Sequence, residues 1–127
     1  MLCHLTVGAN DMNESRKFYD ATFEALGYEP GRIEGRWLIY QGPSFVFAVN
    51  EPLDGKAATH ANGGTIGFSA SSVEQVDKWH AAGLFAGGTS CEDPPGIREN
   101  DGNPAYIAYL RDPVGNKLCA KYPLAGR

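Results

Sequence analysis

The chain has 127 residues, 43% of them hydrophobic and 20% charged, with a formal net charge of −4. That length suits one domain, or two small half-domains sharing a core, and the composition excludes disorder and collagen-like repeats. Its basic residues are scattered and no apolar run approaches the ~20 residues of a membrane helix, so neither nucleic acid nor membrane is an expected partner.

Leu2–Ala9 alternates and is rich in strand formers, which predicts the first strand. Asp11 then caps a helix, with Glu14 three residues on as a capping box. Phe18, Tyr19, Thr22, Phe23 and Leu26 fall on one helical face, and Gly27 ends the helix. Three short strands are expected at Gly31–Glu34, Arg36–Gln41 and Ser44–Asn50.

The same order then returns. Leu5–Gly27 aligns without a gap on Ile66–Gly88, 61 residues on, with Ala9 on Ala70, Lys17 on Lys78, Phe18 on Trp79 and Gly27 on Gly88. Thr65–Ala70 is the repeated strand, Ser72 and Gln75 the repeated capping box, and Val73, Val76, Trp79 and Leu84 the apolar stripe. Thr89–Pro104 reads as an irregular loop, and Asp112–Asn116 as a turn joining strands Ala105–Arg111 and Lys117–Tyr122. The reading is therefore α+β: two βαβββ modules, 1–52 and 65–124, joined by a linker at 53–64. Each helix covers one sheet face, and the bare faces are expected to form a shared cleft.

Cys3, Cys91 and Cys119 are odd in number, widely spaced and without a CxxC pair, which argues for free thiols in a reducing, cytoplasmic setting. The start, MLCHLTVG, carries no signal-peptide pattern.

His4 in the first strand, Phe18-Tyr19-Asp20 with Leu26-Gly27, and Asp112-Pro113-Val114-Gly115-Asn116-Lys117 carry a resemblance across almost the whole chain. The sequence resembles the vicinal oxygen chelate superfamily of glyoxalases, extradiol dioxygenases and bleomycin- and fosfomycin-resistance proteins, with Val114 replacing the usual acid of the D-P-D-G-N turn. The resemblance implies a paired-module fold, a homodimer and, in the metal enzymes, one metal ligand on the first and fourth strand of each copy. Those positions read His4, Phe47, Thr65 and Cys119 when Phe45–Ala48 is laid on Lys117–Ala120. A phenyl ring and a neutral hydroxyl do not chelate, so no metal cofactor is expected.

His4 and Cys119 remain as a candidate base and nucleophile facing each other, against the plainer reading of a lining histidine and a small buried thiol. Cys3 is expected in the helix-side core, His60 in solvent as a possible substitute ligand, and His80 on the helix surface. Trp37, Phe47, Thr65, Tyr106 and Tyr109 are candidate ligand contacts, with at most one of the two tyrosines facing the cleft because they lie on opposite faces of one strand. Arg98 offers a clamp for an anionic group, whereas the net acidity favours a cationic ligand. Gly8 and Gly67, inside strands, mark bulges or close packing. The leading expectation is a small-molecule-binding protein with the usual metal site lost. The alternatives are a lyase, isomerase or dioxygenase using a divalent metal on recruited ligands, and a metal-independent enzyme using His4 or Cys119.

Overall fold

The structure is a computed structural model and describes residues 1–99 and 102–124. Its elements run β1 (His4–Gly8), α1 (Met12–Ala25), β2 (Arg32–Glu34), β3 (Trp37–Gln41), β4 (Val46–Asn50), β5 (Ile66–Ser69), α2 (Val73–Phe85), β6 (Thr89–Ser90), β7 (Gly96–Arg98), β8 (Ala105–Arg111) and β9 (Lys117–Pro123). One sheet has the order β1-β4-β3-β2 and the other β5-β9-β8-β6, with β7 also on β8. In each half the first strand pairs in parallel with the last, and the remaining pairs are antiparallel. This is the expected pair of βαβββ modules.

Local chemistry starts and stops the helices as the sequence requires. The Asp11 carboxylate accepts from the N–H groups of Asn13 and Glu14 at 2.9 and 3.1 Å, and Ser72 Oγ accepts from Gln75 N at 3.0 Å. Gln75 answers by accepting from the N–H of Ser71 rather than of Ser72. Gly27 and Gly87 close their helices at φ +92° and +102°, a region costly for any residue with a Cβ.

The two helices pack against each other between the inner faces of the sheets. Gly83 makes this possible: a Cβ there would lie 2.3 Å from Leu110 Cδ1 and 3.2 Å from Phe18 Cε1. Gly83, not Leu84, therefore continues the stripe of Val76 and Trp79, and Leu84 is exposed. His80 belongs to the same buried stripe rather than to the helix surface, with Nε2 3.1 Å from Ser90 Oγ. The linker is docked, not loose. Asn10 accepts from Ala58 N and donates to Ala58 O, and a Cβ on Gly8 would collide with Ala58, which explains that glycine by close packing.

The 89–104 segment is fastened to its sheet by β6 and β7, both on the edge of β8; residues 100 and 101 lie outside the described residues. The Asp112 turn is held from within: Oδ1 accepts from the N–H groups of Val114, Gly115 and Asn116, and Oδ2 from Asn116 Nδ2. Oδ2 also accepts from the buried Tyr19 hydroxyl at 2.6 Å, which ties α1 to the opposite half.

Two outcomes follow from these contacts. Tyr19→Phe leaves the Asp112 carboxyl one donor short inside the core and should cost about 1.5–3 kcal/mol, read as a lower urea midpoint with an unchanged slope; a loss below about 0.5 kcal/mol would mean the bond does not fasten the halves. Burial lowers the His80 pKa from its ordinary 6.5. The unfolded chain therefore takes up that proton first on acidification, so the stabilisation is complete above 6.5 and declines as pH falls towards the folded value. Urea unfolding from about pH 7.5 to about pH 5 should show a shallower acid loss for His80→Gln than for the unsubstituted chain, and parallel curves would contradict this.

Candidate functional site

The register of the parallel pairs decides which side chains share a face. Leu5 lies opposite Phe47 and Ile66 opposite Leu118, so the counterpart of Phe47 is Leu118 and that of Cys119 is Ala48. The alignment that set Phe47 against Cys119 is one residue out, and one residue inverts every face. The slip arises because Phe47, Ala48 and Val49, like Leu118, Cys119 and Ala120, are all buried. Such a run carries no alternation to mark its faces. Two turns of unequal length, 42–45 and 112–116, complete the mismatch.

Phe47 accordingly points inward, 4.9 Å from the Tyr19 ring and 5.4 Å from that of Phe23. The four positions that the resemblance implies are His4, Ala48, Thr65 and Cys119. This donor set does not fit a divalent metal. Ala48 has no donor atom, Thr65 offers only a neutral hydroxyl, and among the described residues no three His, Cys, Asp or Glu side chains gather where they could hold an ion.

His4 and Cys119 are not joined either. His4 is exposed on β1, with Nδ1 3.3 Å from Cys3 Sγ, so Cys3 lies in solvent rather than in the core. It precedes the strand, which begins at His4, and its direction is not set by the pleat. Cys119 lies on the bare face of the other sheet beside Ala105, Ile107 and Tyr109. A Cβ on Gly67 would meet its sulfur at 3.3 Å. Burial pushes the thiol up, opposite to what a nucleophile needs. All three cysteines are free.

The strand places the two tyrosines on opposite faces. Tyr109 looks outward between Lys117 and Arg98, whose charged ends lie 5.1 and 5.7 Å from its ring centre, and burial raises its pKa. Tyr106 donates to Asp77 of α2 at 2.7 Å and is turned to the helix side. Lys117 pairs with Glu92, the one non-glycine residue with a positive φ, +58°, among the described residues. Arg98 is no anion clamp. Its guanidinium donates to the carbonyls of Asp93, Pro94, Gly96 and Ile107, and so braces its own loop. Trp37 is partly exposed on the bare face of the first sheet under Arg36, and His60 is exposed in the linker.

A half-open cavity lies instead on the helix side, where the halves meet. A cavity of ≈ 390 Å³ runs along β5, bounded by Leu5, the 42–45 turn, Tyr28 and Tyr40, and backed by Phe23, Phe47 and Phe68. Phe68 reaches across the junction, 5.2 Å from Phe23 and 5.6 Å from Phe47, edge to face with both. Tyr40 donates to Asp20 at 2.6 Å, so its hydroxyl is committed away from the cavity, and burial with this bond drives its pKa up. Thr65 lies on the wall and Leu2 on the rim. From the sequence, Phe47 and Thr65 are expected to line a cleft between the bare sheet faces rather than this helix-side cavity, and Phe23 and Phe68 are not singled out, because periodicity marks them only as core.

These features accord with the comparisons. The profile of the Glyoxalase/Bleomycin resistance protein/Dioxygenase superfamily matches residues 2–120. A solved glyoxalase/bleomycin resistance protein from Albidiferax ferrireducens T118 is 48% identical, with TM-score 0.93, covering 96% of this chain and 98% of its own. Oxidase ChaP-H2 is 26% identical, with TM-score 0.68, covering 99% and 95%. A glyoxalase-related enzyme from Fulvimarina pelagi shares the fold at 21% identity and TM-score 0.71, covering 96% and 87%. No curated protein sequence matches the chain. A repeat of βαβββ units, a Tyr19–Asp112 bond between two family motifs and a profile match over nearly the full length make one conclusion: the chain belongs to the glyoxalase/bleomycin resistance/dioxygenase superfamily.

Proposed function

We propose that this protein binds a small organic molecule in the cavity at the junction of its halves, without a metal cofactor and without using His4 and Cys119 as a catalytic pair. The observation that carries the reading is the cavity itself. Its volume of ≈ 390 Å³ lies within the range of small-molecule sites, and its back wall is built from three phenyl rings. The replaced donor set supports the metal-free part. A homodimer in the cytoplasm belongs to the same proposal, supported by free thiols and by bare sheet faces that carry Trp37 and Tyr109.

Two measurements on the purified full chain test this. A thermal-shift screen of small aromatic and alicyclic compounds should yield hits that raise the midpoint in proportion to log concentration, as ligand linkage requires. Elemental analysis of protein prepared without chelator or affinity metal should find zinc, iron, nickel and manganese all well below one per chain. Near-stoichiometric metal, with midpoint lost in chelator, would overturn the metal-free reading, and a screen without hits would remove the binding reading.

A further inference from the structure

Of the sixteen residues that line the junction cavity, none carries a charge. This is notable in a chain with 26 Asp, Glu, Lys and Arg side chains. The polar groups at its mouth are neutral. The hydroxyls of Tyr28, Ser44 and Thr65 have no hydrogen-bond partner among the described residues, and Gln41 spends its Nε2 on Gly42 O at 3.0 Å, which leaves its amide oxygen. The Tyr40 hydroxyl is already given to Asp20, and Ser69 adds a further neutral hydroxyl. An ion held against these walls would give up part of its water and meet no counter-charge among the lining residues, which is costly. A neutral ligand loses far less.

The rings also disfavour a cation. Aromatic walls attract cations through their negative faces. Here Phe23, Phe47 and Phe68 meet mutually at 61–79°, edge to face, so part of their face area is taken up by contacts within the wall. Edges and remaining apolar surface are what a flat, uncharged ring system packs against. The chain's net acidity acts over long range through solvent and provides no partner inside the cavity.

We infer that the junction cavity is selective for neutral, planar aromatic compounds whose single hydroxyl or amide-like group meets the polar mouth at Gln41, Ser44 and Thr65, and that it rejects carboxylates and amines of the same shape. This inference rests on the proposed binding function and adds the ligand class to it.

The test is isothermal titration of the full chain with three shape-matched probes at neutral pH: 2-naphthol, 2-naphthoate and 2-naphthylmethylammonium. Each is titrated into the unsubstituted chain, Thr65→Trp and Ser44→Trp. Both variants crowd the mouth from exposed positions, and a thermal scan checks that they fold. The expected result is that naphthol binds at least about tenfold tighter than either ion, and that at least one variant weakens it by about tenfold or more with the thermal midpoint kept. An ion binding within about threefold of naphthol, and weakened by the same variants, would overturn the neutral selectivity and leave the cavity as the binding site. Such a result for naphthoate would implicate Lys121, which lies opposite Ser69 on β9. Naphthol binding that neither variant changes would place the site elsewhere and overturn the inference. Binding of no probe, with no hit in the thermal-shift screen, would overturn the inference together with the function on which it rests.

Discussion

A single buried hydrogen bond, from the Tyr19 hydroxyl to Asp112 Oδ2, holds α1 of the first half against the β8–β9 turn of the second. Both ends are removed from water, so neither can be left unpaired without a penalty comparable to a good fraction of a small domain's stability. Asp112 is itself immobilised by three backbone N–H groups and Asn116, so the acceptor is rigid before Tyr19 arrives. The same seam is closed by Gly83 and Gly88, where a Cβ would lie 2.3 Å from Leu110 Cδ1 and 2.4 Å from Phe18 Cε1. The relative placement of the halves follows, and with it the meeting of Phe68 with Phe23 and Phe47 that backs the cavity.

The residues that mark this chain as a superfamily member are thus mostly structural. Tyr19 and Asp112 clasp the halves. Asp20 receives Tyr40 and the N–H of Gly31, closing the loop between α1 and β2. The positions where the resemblance implies metal ligands hold His4, Ala48, Thr65 and Cys119, while the clasp is in place. β1 and β5 both end their sheets, so no further strand of either sheet lies beyond them at the junction.

Charge is distributed in keeping with this division. The bare face of the second sheet carries Lys117, Glu92 and Arg98 around Tyr109, where water and mutual pairing satisfy them. Arg98 shows how a long irregular segment is braced: one guanidinium donates to the carbonyls of Asp93, Pro94, Gly96 and Ile107. The residues lining the junction cavity, by contrast, are all uncharged.

Much of the fold was legible in the sequence by itself, because caps, glycine stops, turns and the 61-residue repeat are local hydrogen-bonding and conformational preferences that neighbouring residues settle among themselves. Asp11, Ser72, Gly27 and Asp112 all act within four residues of their partners. Tertiary structure alone decided the face of Phe47, since a strand buried on both sides has no polar side to orient it. It also decided the burial of His80 and the exposure of Cys3 and Leu84, which depend on where the other helix and sheet lie. The cavity was the least legible feature of all. Its walls come from β1, α1, β3, the 42–45 turn, β4 and β5, and an apolar residue lining a cavity has the same sequence signature as one packed in the core, because both answer to the removal of apolar surface from water and only the packing around them tells the two apart.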